Sequence, residues 1–291
     1  MRKIQQTKIL ESLQTLKEAH GELPKQTAPG AVTNLLADCQ DFALQIKEFI
    51  ESIAGNGTRT AALLDEYCEL VYRASGEAGS QDYIKKLAKQ LTDIENSVRS
   101  EMKPDRIEAV FLPYQASMWD SLESAYLAAR DDPACDAYVI PIPYYEKNPD
   151  GTLGEMHCDG GRYPDGVPIT DWQKYDIEAR HPDLVFIHNP YDNGNYVSSV
   201  HPNYYSKRLC ECTDLLCYVP YFVFDGALPE HFVTTAACVY AHKVFVQSEE
   251  IRSDYIRVFG GWLKENGIRK GHPLWPKVAN LAGKFVALGS P

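Results

Sequence analysis

Apolar residues in the first hundred positions recur three and four apart, which is the spacing of amphipathic helices. The longest such series is Ile84, Leu87, Leu91, Ile94 and Val98, a coiled-coil seam of about two heptads. Similar stripes predict three earlier helices at about residues 4–20, 31–53 and 59–71, separated by glycines and a proline. We therefore predict an antiparallel helical bundle over residues 1–103, which either packs against the rest of the chain or forms a homodimer.

The pattern changes after Pro104 to short apolar runs rich in valine, isoleucine and phenylalanine. Such runs, separated by helical or turn-rich stretches, predict a mostly parallel sheet with helices on both faces. The six predicted strands cover residues 106–113, 137–143, 183–188, 215–224, 243–247 and 284–288. We therefore predict a doubly wound α/β domain over residues 104–291. The polar residues 144–172 include the pairs Asp150-Gly151 and Asp165-Gly166, and we expect this segment to make tight turns over the sheet edge.

Polar residues recur where the predicted strands end, although the strands themselves are apolar. Ligands of a doubly wound sheet bind beyond the carboxyl ends of its strands, so these residues define a candidate site. The candidate ligand-binding residues are Tyr114, Gln115, Ser117, Asn189, Tyr191, His201, Tyr221, Ser248 and Glu249. We expect Tyr114, His188, Asn189 and Ser248 to surround one shared pocket.

His188 and Asp192 are the candidate catalytic residues. An imidazole at the end of a buried strand can take a proton from an acceptor hydroxyl if Asp192 or a backbone carbonyl orients it. The alternative is that His188 only caps the end of its strand by hydrogen bonding. Helix capping is likewise the alternative role for His201 and Ser248, and Ser117 begins a capping-box pattern.

Charge and composition narrow the range of partners. Residues 104–291 carry 16 basic and 25 acidic side chains, whereas residues 1–103 carry 13 and 15. A net charge of −9 on the main domain repels phosphate backbones, so we expect no nucleic-acid partner. With no signal-peptide core, no membrane-spanning apolar run and eight scattered cysteines, the sequence predicts a cytoplasmic protein with reduced thiols.

Several signature motifs are absent from the sequence. There is no Gly-x-Gly-x-x-Gly after the first strand, no P-loop and no Gly-x-Ser-x-Gly elbow. Cys210-Glu-Cys212 and His157-Cys158-Asp159 both lack a second group of ligands at a metal-binding spacing. We therefore expect neither a cofactor nor a metal.

Long segments from residue 112 onward resemble one bacterial family. They read PYQASMWDSLESAYLAARDDPACDAYVIPIPYYEKNPDG, DLVFIHNPYDNGNYVSSVHPNYYSK, YVPYFVF, KVFVQSEEIRSDYI and VALGSP. Together with the helical region before them, they resemble the N-terminal half of proteins assigned to the CDP-glycerol glycerophosphotransferase family.

The resemblance implies a two-domain fold of the glycosyltransferase-B type, in which the N-terminal domain is Rossmann-like and handles the acceptor. The acceptor would be a polyol phosphate or a glycan of teichoic acid or capsule. CDP-glycerol, the donor, would bind a C-terminal domain that is absent from this sequence. The resemblance also implies that the protein is peripherally associated with the membrane and acts at the inner face of the cell membrane.

The sequence departs from the family at one point. Many members carry a Trp-His-Gly segment after a middle strand, whose histidine is taken as the base. The comparable run here, residues 218–223, has no histidine. Either His188 or His201 substitutes as the base, or this branch performs different chemistry. Our leading expectation is the acceptor-side part of a glycerophospho- or glycosyltransferase. The alternatives are a non-catalytic binding module and a self-sufficient small-molecule enzyme.

Overall fold

The computed structural model describes residues 1–26, 28, 30–76, 80–224 and 228–289. The chain divides into two compact units, Met1–Arg106 and Ile107–Pro291. This division falls close to the predicted boundary after residue 103. None of the helices in the described ranges is long and apolar enough to cross a lipid bilayer.

The first unit consists of helices, as its apolar spacing predicts. Its four long helices are α1 (Lys3–Glu22), α2 (Ala31–Ala54), α3 (Arg59–Gly76) and α4 (Gln81–Glu101). The seam of α4 is fully buried at Leu87, Leu91 and Ile94. Thr58 caps α3, because its Oγ accepts a hydrogen bond from the backbone N–H of Ala61 at 3.2 Å.

The second unit alternates strands and helices. In chain order its strands are β1 (Ile107–Leu112), β2 (Cys135–Val139), β3 (Tyr144–Lys147), β4 (Leu153–His157), β5 (Leu184–Ile187), β6 (Ser198–Val200), β7 (Leu215–Tyr218), β8 (Lys243–Val246) and β9 (Phe285–Ala287). Its helices are α5 (Asp120–Asp131), α6 (Ile177–Arg180), α7 (Ser206–Leu209), α8 (Glu230–Val233), α9 (Ala236–Tyr240), α10 (Glu249–Glu265), α11 (Trp275–Val278) and α12 (Leu281–Lys284).

Six of these strands form one parallel sheet in the order β2-β1-β5-β7-β8-β9. Each corresponds to one of the six predicted strands, so the α/β class with a mostly parallel sheet is confirmed. The prediction for residues 215–224 is too long, because β7 ends at Tyr218. Pro220 lies within that run, and a proline has no N–H to donate to a strand ladder.

Both faces of this sheet carry buried side chains. Along β1, Ala109 and Phe111 pack with Leu122 and Tyr126 of α5 on one face. The alternate residues of β1 face the opposite cluster, which also contains Phe259 of α10. Successive side chains of a strand point to opposite faces of the sheet, and both faces are covered here. These runs are therefore apolar toward both faces.

A second sheet of three antiparallel strands has the order β4-β3-β6. Its hairpin between β3 and β4 lies in the polar stretch where tight turns were expected, and Gly151 occupies a left-handed turn position with φ of 83°. The strands β3, β4 and β6 are not predicted by the apolar pattern. They contain three to five residues each and are largely polar.

The strand order contains a reversal of direction between β1 and β5 of the parallel sheet. The chain leaves β1 for β2 on one side and later returns to β5 on the other side of β1. Loops that follow β1 and β5 therefore run in opposite directions. Such a topological switch point is where open α/β sheets bind ligands.

Candidate functional site

His188 directly follows β5 at this switch point, and its imidazole is fully buried. The ring Nε2 accepts a hydrogen bond from the backbone N–H of Tyr114 at 3.0 Å, so the ring proton resides on Nδ1. Nδ1 lies 3.0 Å from Ser121 Oγ and 3.2 Å from the carbonyl oxygen of Met118. Burial lowers the pKa of His188 to about 4. The imidazole is therefore neutral, and it joins the segments that follow β1 and β5.

Asp192 does not orient this imidazole. Its buried carboxylate accepts hydrogen bonds from the N–H of Ser206 at 2.9 Å and from the Ser206 hydroxyl at 2.8 Å. Asp192 also has a left-handed backbone with φ of 50°. It therefore fixes the turn that leads into α7, and the group that faces His188 is the Met118 carbonyl.

Four tyrosines form a group next to His188, and we call them the tyrosine cluster: Tyr114, Tyr144, Tyr191 and Tyr221. The rings of Tyr114 and Tyr221 contact His188 itself. The hydroxyls of Tyr114 and Tyr221 interact, and each affects the pKa of the other. The ring of Tyr114 meets Tyr144 edge to face, with centroids 5.6 Å apart. It meets His188 in the same way at 5.2 Å.

Two further contacts extend the cluster. Gln115 interacts with the side chain of Tyr144 and affects its pKa, and Tyr191 interacts electrostatically with Tyr221. Five predicted residues, which are Tyr114, Gln115, His188, Tyr191 and Tyr221, thus come together at the switch point. Asn189 follows His188 directly and is buried as well.

The tyrosine cluster is uncharged at neutral pH. Burial is the largest cause that raises the pKa of each of its four hydroxyls, so all four stay protonated. A tyrosine hydroxyl both donates and accepts a hydrogen bond, and its ring offers an apolar face. This combination suits a neutral ligand that carries several hydroxyl groups, such as a polyol or a sugar.

Tyr218, the last residue of β7, is a site residue that the sequence did not reveal. It is fully buried, and within the described part of the chain its hydroxyl has no hydrogen-bond partner. Tyr191 and Tyr221 are among its electrostatic neighbours, and burial raises the pKa of Tyr218. An unsatisfied buried hydroxyl costs about 1–3 kcal/mol, so a hydrogen bond from a ligand here would be favourable.

Two predicted ligand-binding residues belong to short helices. Ser117 is exposed in the 3-10 helix Ala116–Met118, and the residue before α5 is Trp119, so the capping box predicted at Ser117 is wrong. His201 begins another 3-10 helix, because its Nδ1 accepts a hydrogen bond from the N–H of Asn203 at 3.2 Å. The capping alternative for His201 is therefore confirmed.

Ser248 and Glu249 begin α10. The Ser248 Oγ accepts a hydrogen bond from the N–H of Ile251 at 3.2 Å, which confirms its predicted capping role. Glu249 is exposed and pairs with Arg252 at 3.1 Å. Among the described contacts, none joins Ser248 to Tyr114 or His188, so the expected meeting of these residues around one pocket is not observed.

The His157-Cys158-Asp159 segment lies beside the tyrosine cluster. The Asp159 carboxylate accepts a hydrogen bond from the N–H of Ala116 at 3.1 Å, and the His157 ring lies 5.5 Å from that of Tyr144. In the ranges that the structure describes, no group of three or more His, Cys, Asp or Glu side chains is arranged to hold a metal ion.

The chain matches no protein-family model, no curated protein and no solved structure.

Proposed function

We propose that Ile107–Pro291 is the Rossmann-like, acceptor-side half of a transferase of the glycosyltransferase-B type, and that the tyrosine cluster binds the hydroxyl-bearing acceptor. The observation that carries this proposal is the group of uncharged tyrosine hydroxyls at the switch point of a parallel sheet. The resemblance to CDP-glycerol glycerophosphotransferases supports glycerol phosphate as the transferred unit and a cell-surface polymer as the acceptor.

Acceptor binding requires hydrogen bonds to hydroxyl groups and a surface for the carbon skeleton. The hydroxyls of Tyr114 and Tyr221 provide the first, and the half-buried rings of the cluster provide the second. A phosphate of the donor needs cations or free backbone N–H groups. The cation that acts on Tyr144 is Arg162, which already pairs with Asp159 at 3.4 Å. This pairing favours a split site in which the donor is held elsewhere.

Saturation-transfer NMR with glycerol, glycerol 3-phosphate and CDP-glycerol tests this division. We expect the 291-residue chain to contact the glycerol protons, and we expect no contact to cytidine. Tyr114→Phe and Tyr221→Phe should weaken glycerol binding about fivefold each, the effect of one neutral hydrogen bond. Tyr196→Phe is the control, because Tyr196 is 96% exposed and should not affect binding.

Strong cytidine contacts from this chain would contradict the split site. Glycerol binding that is equal in the wild type and in both cluster variants would contradict the assignment of the tyrosine cluster.

A non-catalytic binding module is the second candidate function, and His188 is the observation that favours it. Both ring nitrogens of His188 are engaged, so accepting a proton from a ligand requires breaking the bond to the Tyr114 N–H. The two candidates differ in turnover. If this chain alone releases CMP when CDP-glycerol and glycerol are supplied, and Tyr114→Phe does not, the binding module is excluded.

A further inference from the structure

A cavity of about 420 Å³ lies at the carboxyl ends of β7, β8 and β9, bounded by α5 and the first turns of α10. Its walls are apolar and include Phe186, Val219, Phe222, Phe224, Phe245 and Val246. Pockets of this size and character, at this edge of an open α/β sheet, are typical ligand sites. The proposed acceptor binding does not use this cavity.

The lining of the cavity contains no charged side chain among the residues described. Two of its polar side chains are already occupied by other parts of the protein. The Gln247 amide accepts from the N–H of Phe224 at 2.8 Å and donates to the Phe224 carbonyl at 2.6 Å. The Ser121 hydroxyl donates to the carbonyl of Met118 at 2.8 Å. A ligand rich in donors and acceptors, such as a nucleobase, therefore finds few partners here.

The opening of the cavity exposes apolar side chains to solvent. Val223 is 64% exposed and Leu288 is 71% exposed, and both line the cavity. On α5 the lining consists of four small residues, Ser121, Ser124, Ala125 and Ala128, so the cavity is open along one side of that helix. Covering these surfaces with hydrocarbon would remove apolar area from water, which is favourable.

We propose that this cavity binds the aliphatic chain of a neutral amphiphile. The apolar walls take the hydrocarbon, and the exposed hydroxyl of Ser124, which has no bond to another described residue, is free to meet a single polar head group. The site is separate from the hydroxyl-binding tyrosine cluster. Ser121 connects the two, since it lines the cavity and also lies 3.0 Å from His188 Nδ1.

A homologous series of 1-alkanols, from butanol to octanol, tests the proposal by calorimetry on the 291-residue chain. Each methylene that enters the cavity should lower the Kd about fourfold, as expected for transfer of a methylene out of water. Ala128→Phe places a ring in the lining at an exposed position of α5 and should weaken octanol binding at least tenfold. Ser124→Phe is a second filling variant with the same expectation.

Leu127→Phe is the matched control. It adds a ring to the same helix at a residue outside the cavity lining, and octanol binding should stay within about twofold of the wild type. Tyr114→Phe should also leave octanol binding unchanged, which separates this proposal from the proposed acceptor site.

Two results would overturn the proposal. One is a Kd that does not depend on chain length, or that is equal in the wild type and in both filling variants. The other is a dimer in sedimentation velocity that octanol does not dissociate and that Ala128→Phe abolishes, because a second copy would then cover the cavity.

Discussion

The buried imidazole of His188 makes the stability of the α/β unit sensitive to mild acid. Burial lowers the pKa of His188 from 6.5 to about 4 in the folded chain. The unfolded chain exposes the ring, with a pKa of about 6.5. Between these two values the unfolded chain binds a proton that the folded chain does not. The contribution of the neutral His188 to the free energy of unfolding is therefore fully present above pH 6.5. It is lost progressively as the pH falls from 6.5 toward 4.

The size of the effect follows from the difference between the two pKa values. One pKa unit corresponds to about 1.4 kcal/mol, and at pH 5 the unfolded imidazole is mostly charged while the folded one is mostly neutral. His188 should therefore reduce the free energy of unfolding by about 2 kcal/mol between pH 7 and pH 5. The ring is fully buried, so solvent screening does not reduce this figure.

Urea unfolding followed by tryptophan fluorescence measures this effect in Ile107–Pro291, the unit that contains His188. All four tryptophans, Trp119, Trp172, Trp262 and Trp275, lie in Ile107–Pro291. The comparison is between the wild type and His188→Gln, whose amide oxygen can still accept from the Tyr114 N–H but does not titrate. We expect the loss between pH 7 and pH 5 to be about 2 kcal/mol smaller in the variant.

His231→Gln, which removes an exposed imidazole, is the control and should behave like the wild type. Equal losses of unfolding free energy in the wild type and in His188→Gln would refute the reasoning. The imidazole would then be charged in the fold, or its bonds would differ from those described.

The same unfolding assay tests three other contacts. Glu108→Gln should lower the free energy of unfolding by about 2–3 kcal/mol, because the buried carboxylate pairs with Arg180. Glu178→Gln, at an exposed ion pair, should lower it by less than about 1 kcal/mol. Equal losses in the two variants would contradict this expectation. Ser248→Ala should cost about 1 kcal/mol by removing the cap of α10, and Ser248→Asn should restore most of it. Asp192→Ala should cost about 2 kcal/mol and Asp192→Asn clearly less, because asparagine tolerates a left-handed backbone and still accepts from Ser206.

The parallel sheet was predictable because its strands are buried on both faces. A run such as residues 184–187 must be apolar throughout, which separates it from the helices on either side. The strands of the antiparallel sheet carry no such signal, because β3 and β4 are short and mostly not buried. Their pairing depends on the hairpin turn and on β6, which lies more than forty residues further along the chain.

The candidate site was predictable in outline but not in its bonds. The rule that ligands bind at carboxyl strand ends selects Tyr114, His188 and Tyr221 correctly as neighbours. The groups that engage Nδ1 of His188 are Met118 and Ser121, which stand 70 and 67 positions away in the chain. No local pattern identifies which residues make such a contact. Of the two orienting groups expected from the sequence, Asp192 is wrong and a backbone carbonyl, that of Met118, is correct.

The order of strands also has a kinetic consequence. β1 pairs in parallel with β5, so that Ala109 stands opposite Leu184 across a long stretch of intervening chain. Closing such a loop costs conformational entropy before the contacts between the strands can stabilise the chain. Parallel topologies accordingly fold slowly. Strand edges and apolar surface thus stay open to other molecules for longer during folding. We therefore expect refolding yields of the α/β unit to fall as protein concentration rises, whereas the helical unit, with its local contacts, should refold rapidly.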